Sequence, residues 1–121
     1  MGDRANVVVQ SRGERVYLYS HWGGASVAAA AQRALARAED RWDDAPYLTR
    51  VVFQEMVGTD KGTTGYGIWT SAPDNEHPIV VVDTDNGTVF RESRKGVNLG
   101  AGMPIAEFVK MEDPEAWMDS D

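Results

Sequence analysis

The sequence predicts an α+β domain: one mainly antiparallel sheet with helices packed on one face, in the order ββ-αα-βββ-α. Three observations predict it. Two hairpin-like pairs of short strands, Ala5–Ser20 and Ile79–Glu92, are each closed by turn residues. Between them, small and apolar residues recur at helical spacing from Val27 to Trp42. No internal repeat, low-complexity tract or linker divides the chain, so both hairpins are expected in one sheet.

The first strand is Ala5 to Gln10, followed by the turn Ser11-Arg12-Gly13-Glu14. Arg15 to Ser20 alternates, with Val16 and Leu18 on one side and Tyr17 and Tyr19 on the other. Gly23-Gly24 breaks the strand and Ser26 can cap the next helix. In that helix Val27, Ala31, Ala34, Leu35, Ala38 and Trp42 share a face, and its alanines allow close approach to a sheet. Asp43-Asp44-Ala45-Pro46 is a helix-start signal. Leu48, Val51, Val52, Glu55 and Met56 follow with one charged exception, and Gly58 ends the element. Gly65 to Ser71 reads as a strand with glycines at its start. Ile79 to Val82 reads as the most apolar and central strand, Asp83 to Gly87 as a turn and Thr88 to Glu92 as the returning strand. Arg94 to Gly102 is irregular, and Pro104 to Met111 reads as a short helix. The expected core is Val16, Leu18, Leu35, Trp42, Val51, Val52, Ile79, Val81 and Phe108.

Composition narrows the function classes. At 121 residues with 42% hydrophobic content, the chain fits one domain, expected over 1–111, with an acidic tail over 112–121. There is no Cys, which excludes disulfides and thiolate metal sites. No signal-peptide pattern and no run of membrane-spanning length is present, so a cytoplasmic location is expected. The net charge of −7 is concentrated at the end: from Glu107 onward six acids and one base contribute −5. That distribution argues against general nucleic-acid binding, which needs a basic face.

The candidate site is the junction Tyr19-Ser20-His21-Trp22-Gly23-Gly24-Ala25-Ser26 between strand and helix. Glycines let a backbone approach an anion, and free N–H groups at a helix start favour negative charge. Trp22 can stack on a base or sugar, and His21 can donate to a phosphate. His21, Trp22, Gly23 and Gly24 are therefore the expected binding residues, with Tyr66 and His77 as neighbours. No dinucleotide or Walker-type phosphate motif supports a specific nucleotide. No nucleophile elbow exists, and the only histidines, His21 and His77, are not at metal-ligand spacing. Asp83-x-Asp85-x-Gly87 fails as a calcium loop where Gly87 and Arg94 stand at ligand positions. No catalytic residue, metal or cofactor is assigned, and binding is preferred over catalysis. Arg33, Arg37 and Arg41 form a basic stripe four residues apart, and Trp117 is embedded in the acidic tail. These four are the expected interaction residues. A homodimer is expected, with the tail docking on a protein surface; the alternative is that the tail folds back on its own domain or awaits a basic host partner.

Arg4-Ala5-Asn6-Val7, Tyr19-Ser20-His21-Trp22-Gly23-Gly24, Arg41-Trp42-Asp43-Asp44-Ala45-Pro46-Tyr47-Leu48, Thr64-Gly65-Tyr66-Gly67-Ile68 and Asn75-Glu76-His77-Pro78 together resemble a family of small proteins of bacteriophages, prophages and their bacterial hosts. The resemblance covers the chain to about Val89 and carries no residue role. It implies an accessory protein made inside a bacterial cell and acting by binding. The bound species is either a phosphorylated small molecule, such as a host defence nucleotide, or a host protein that is inhibited or redirected.

Overall fold

The computed structural model describes residues 2–24, 26–72 and 75–120. Ala25 of the junction, Asp74 of the loop before His77 and Asp121 of the tail lie outside the described residues. The elements are β1 (Ala5–Ser11), β2 (Glu14–Ser20), α1 (Ser26–Arg37), α2 (Ala45–Val57), β3 (Tyr66–Trp69), β4 (Ile79–Asp83), β5 (Thr88–Glu92), β6 (Met103–Pro104), α3 (Ile105–Phe108) and α4 (Pro114–Asp119). Among the described residues they form one α+β unit around a six-stranded sheet of order β3-β2-β1-β4-β5-β6.

Both hairpins enter this sheet. The β1–β2 turn has positive φ at Arg12 (54°) and Gly13 (79°), the twist that suits a two-residue hairpin loop. Arg12 is held there by Asp85, whose carboxylate accepts its N–H at 2.7 Å. The two hairpins join through β1 and β4, which run parallel with Val8 opposite Val81. The other strand junctions are antiparallel. The parallel seam puts a crossover containing α1 and α2 between the hairpins.

The helices cover one face. Val7, Val9, Leu18, Val80, Val82 and Val89 point into a core completed by Leu35, Leu48, Val52, Ile105, Phe108 and Met118. On the opposite face Val8, Ile79 and Val81 form a second buried cluster under Tyr17 and Phe90, with no helix residue in it. The expected core residues Ile79 and Val81 are thus buried on the helix-free side, and Val80 and Val82 meet the helices. An all-apolar strand buried on both faces carries no alternation from which to read its orientation.

Three helical boundaries differ from the sequence reading, and the short strand β6 is not among its expected elements. The first helix ends at Arg37; a 3-10 turn over Glu39–Arg41 follows and carries Trp42 back to the core. There the Trp42 indole donates to the Leu35 carbonyl at 2.8 Å, satisfying an acceptor of the last turn. The helix expected over Pro104–Met111 shortens to Ile105–Phe108; Gln32 of α1 donates to the carbonyls of Phe108 and Met111 as the chain leaves it. Beyond it the acidic segment forms α4, with Asp113 accepting from the Ala116 N–H as its cap. Met118 of α4 is fully buried in the main core, so this segment lies on its own domain.

Candidate functional surface

The junction between β2 and α1 is tightly tied by its own chain. His21 N–H donates to Gly65 O at 2.8 Å, Gly23 N–H to Ser20 Oγ at 2.8 Å and Gly24 N–H to Asp3 O at 2.8 Å. Ser26 and Val27 N–H close onto Gly23 O and Gly24 O at 2.9 and 3.2 Å. Asp3 N–H in turn donates to His21 O at 2.7 Å. The expectation of free amides at this helix start is therefore corrected: these five N–H groups are taken. The Asp3 carboxylate lies where a Cβ on Gly24 would project, so the chain supplies its own anion beside the helix N-terminus.

The sequence-predicted site residues divide into three pairs. Gly23 and Tyr66 line a small cleft with Ser20, Ser26, Arg33 and Glu55. Its volume is about 80 Å³, well below the ~300 Å³ at which pockets for drug-sized ligands begin. His21 and Trp22 lie outside it: the His21 Nδ1 and the Tyr19 hydroxyl are hydrogen-bonded at 2.7 Å, and Trp22 meets the His21 ring edge-on at 5.0 Å. Gly24 and His77 are linked through Asp3, whose carboxylate is 2.6 Å from His77 Nε2. His77 Nδ1 is 3.0 Å from Asp119 of α4. Partial burial pulls the His77 pKa down, but the hydrogen bonds to Asp3 and Asp119 outweigh it and hold the pKa above its ordinary value.

The basic stripe is committed inside the domain. Glu55 reaches from α2 and accepts from Arg33 at 3.0 Å and Arg37 at 3.1 Å. The Arg33 hydrogen bond, with help from Arg37, holds the Glu55 carboxyl below its ordinary pKa. Arg41 lies 3.7 Å from Asp44 and over the Tyr47 ring at 5.0 Å. Trp117 packs against Phe108 at 5.4 Å, with the Arg91 guanidinium 5.3 Å from its ring centre.

Tyr47, Val97 and Leu99 are exposed elsewhere on the surface, and three further large apolar side chains are exposed on or beside the outermost strand β3. Trp22 is 56% exposed, Ile68 52% and Trp69 67%. Trp22 lies against Gly65, where φ is +96° and a Cβ would collide with the indole. Because His21 donates to Gly65 O, residues 65, 67 and 69 point their backbone groups at β2, whereas Tyr66 and Ile68 point theirs at the open edge. Gly67 lies on the same side of the strand as Trp69, and nothing would touch a Cβ there. The sequence presents this segment as a strand with glycines at its start and does not single out Ile68 or Trp69. Ile68 and Trp69 read as ordinary strand residues, and only the sheet order shows that this strand is at an edge.

Among the described residues no cluster of His, Asp and Glu is arranged to hold a metal ion, and no helix is long and apolar enough to cross a membrane. Comparison with protein-family models, curated proteins and solved structures finds no match.

Proposed function

We propose that this protein acts by binding another polypeptide, and that Trp22, Ile68 and Trp69 form the contact surface. One observation carries this reading: two tryptophans, each more than half exposed, flank an uncharged open sheet edge. An aromatic side chain buries about 150–250 Å² when covered, and tryptophan is prominent among residues that dominate interface energies. A phosphorylated small molecule has less support at the junction. Five of its amides are occupied, Arg33 and Arg37 face Glu55, and the adjoining cleft is small. The resemblance to phage and prophage proteins gives the setting of this proposal, a bacterial cell whose own proteins are the candidates for capture.

The test compares tagged wild-type chain, Trp69→Glu and Val97→Glu, each co-expressed with its own untagged form in a bacterial host, so that a second copy and a host protein are both recoverable as the partner. Val97 is also exposed but follows β5, three strands further across the sheet than β2. A partner recovered with wild type and Val97→Glu and lost with Trp69→Glu, then shown to bind in purified form, supports the reading. Equal recovery by all three chains overturns it. A nucleotide that co-purifies stoichiometrically in native mass spectrometry restores the small-molecule alternative.

A further inference from the structure

Resting on that reading of the surface, we infer that the polypeptide received by the β3 edge is the β3 strand of a second copy of this chain, paired antiparallel about a two-fold axis through Ile68. Edge strands are ordinarily guarded by charge, proline or a bulge. From Gly62 to Ala72 this chain has none of the charges or prolines, although about a quarter of its residues are charged. The opposite end of the sheet is closed by the short β6 and by Asn98 bridging to Glu92. Two copies with a net charge of −7 each repel in general. An uncharged edge is where they approach without setting like charges against one another.

The register follows from the side chains. Tyr66 and Ile68 have outward N–H and C=O groups, so they must form the hydrogen-bonded rungs of any added strand. Centring the pairing on Ile68 places Ile68 against its own copy and Trp69 opposite Gly67 of the second copy. The latter is a non-hydrogen-bonded pair, in which backbones lie about 4.5 Å apart and side chains meet most closely. Gly67 offers bare backbone with empty space above it, and Trp69 is the most exposed of the large apolar side chains. The indole of each copy thus covers the glycine of the other, an arrangement known to rescue glycines in sheets. The same contact covers Ile68 on the helix side. A two-fold axis perpendicular to the sheet keeps all helices on one face and joins the two sheets into one.

Sedimentation velocity and native mass spectrometry of the full chain test this. Wild type is expected to be a dimer at micromolar concentration. Gly67→Val adds a β-branched side chain where there is room, so the fold is retained or stabilised, yet the floor for the indole is lost. Its dimer dissociation constant is expected to rise about tenfold or more, as is that of Trp69→Ala. The chain has no cysteine, so Ile68→Cys introduces a single thiol. Opposed residues of a hydrogen-bonded pair have Cα atoms about 5.5 Å apart, within disulfide range, and oxidation is expected to cross-link the copies. A monomeric wild type overturns the self-pairing, and so does a dimer that Gly67→Val leaves intact or that Ile68→Cys does not cross-link. In either case the Trp69→Glu capture experiment still decides the contact surface separately.

Discussion

Arg15 and Glu92 meet across the helix-free face of the sheet, although β1 and β4 lie between their strands. Two hydrogen bonds, 2.8 and 2.6 Å long, join the guanidinium to the carboxylate above the Val8 and Val81 cluster. Glu92 is almost fully buried, so the pair is both a charge match and part of the cover over that cluster.

Removing one partner is expected to be costlier than removing both. Arg15→Met leaves the buried Glu92 carboxylate unmatched and should cost about 3 kcal/mol in a denaturant melt at neutral pH. Adding Glu92→Leu to Arg15→Met should recover much of that loss. Equal stabilities of the single and double variants would show that the carboxylate finds adequate solvation without the arginine.

Gly65→Ala tests how rigidly the junction holds Trp22. The substitution forces a side chain onto a backbone at φ +96° and into the indole. A loss of about 1–3 kcal/mol is expected, with a red shift of tryptophan emission as Trp22 is displaced. Gly23 is less useful as a probe of binding, because a Cβ there collides with Ser20 Oγ and disturbs the fold itself.

His77 makes part of the stability depend on pH. It bonds Asp3 near one end of the chain and Asp119 near the other, and its pKa is raised in the folded state. The imidazolium therefore binds its proton more tightly when folded. The stability it contributes is fully present below the unfolded value of about 6.5 and is lost as pH rises through the folded value. Thermal melts of wild type should fall across that window. His77→Gln should show a flatter dependence there, and a wild-type slope in the variant would place the titrating group elsewhere.

The acidic segment is expected to be structural. Met118→Ala should cost about 2–5 kcal/mol, the range for emptying a buried aliphatic site. A chain ending at Met111 loses Met118, the Trp117–Phe108 contact and the partners of Arg91 together. It should melt well below the full chain. Equal melting temperatures would mean that α4 adds nothing to the core.

Local chemistry made much of this fold legible. The two hairpins, the Asp44 cap with Pro46 and the Gly58 stop each declare themselves in a few adjacent residues. Glu55 broke the apolar pattern of its helix because it faces Arg33 and Arg37 on α1, a relation between elements that no single-helix pattern contains. Asp113-Pro114 carries the same start signal as the region before α2 but sits in so acidic a segment that charge dominated its reading. The junction was visible as a strand-to-helix turn. That the amides of His21 and Gly24 are already bonded depends on Gly65 and Asp3, which arrive from distant parts of the chain. The exposed edge at Ile68 and Trp69 is a property of strand order, and strand order follows from the parallel seam between β1 and β4.

That seam also sets the order in which the molecule can be assembled. Each hairpin closes over a short loop, whereas Val8 and Val81 are separated by more than half the chain. Loop-closure entropy makes the distant pairing the slow event, and folding rate falls as contacts become less local. The hairpins are expected to be early and separable units, with the seam zipping only once α1 and α2 have folded over it. Pulse-labelled hydrogen exchange should protect amides at the β1–β2 and β4–β5 junctions before those at the β1–β4 junction, and simultaneous protection would contradict this sequence. Until the seam closes, β1 and β4 each present an apolar, unpaired edge. The least soluble moment of this chain's existence is therefore its synthesis, when the valine-rich strand that ends half-made at one edge must wait for its mate to be translated.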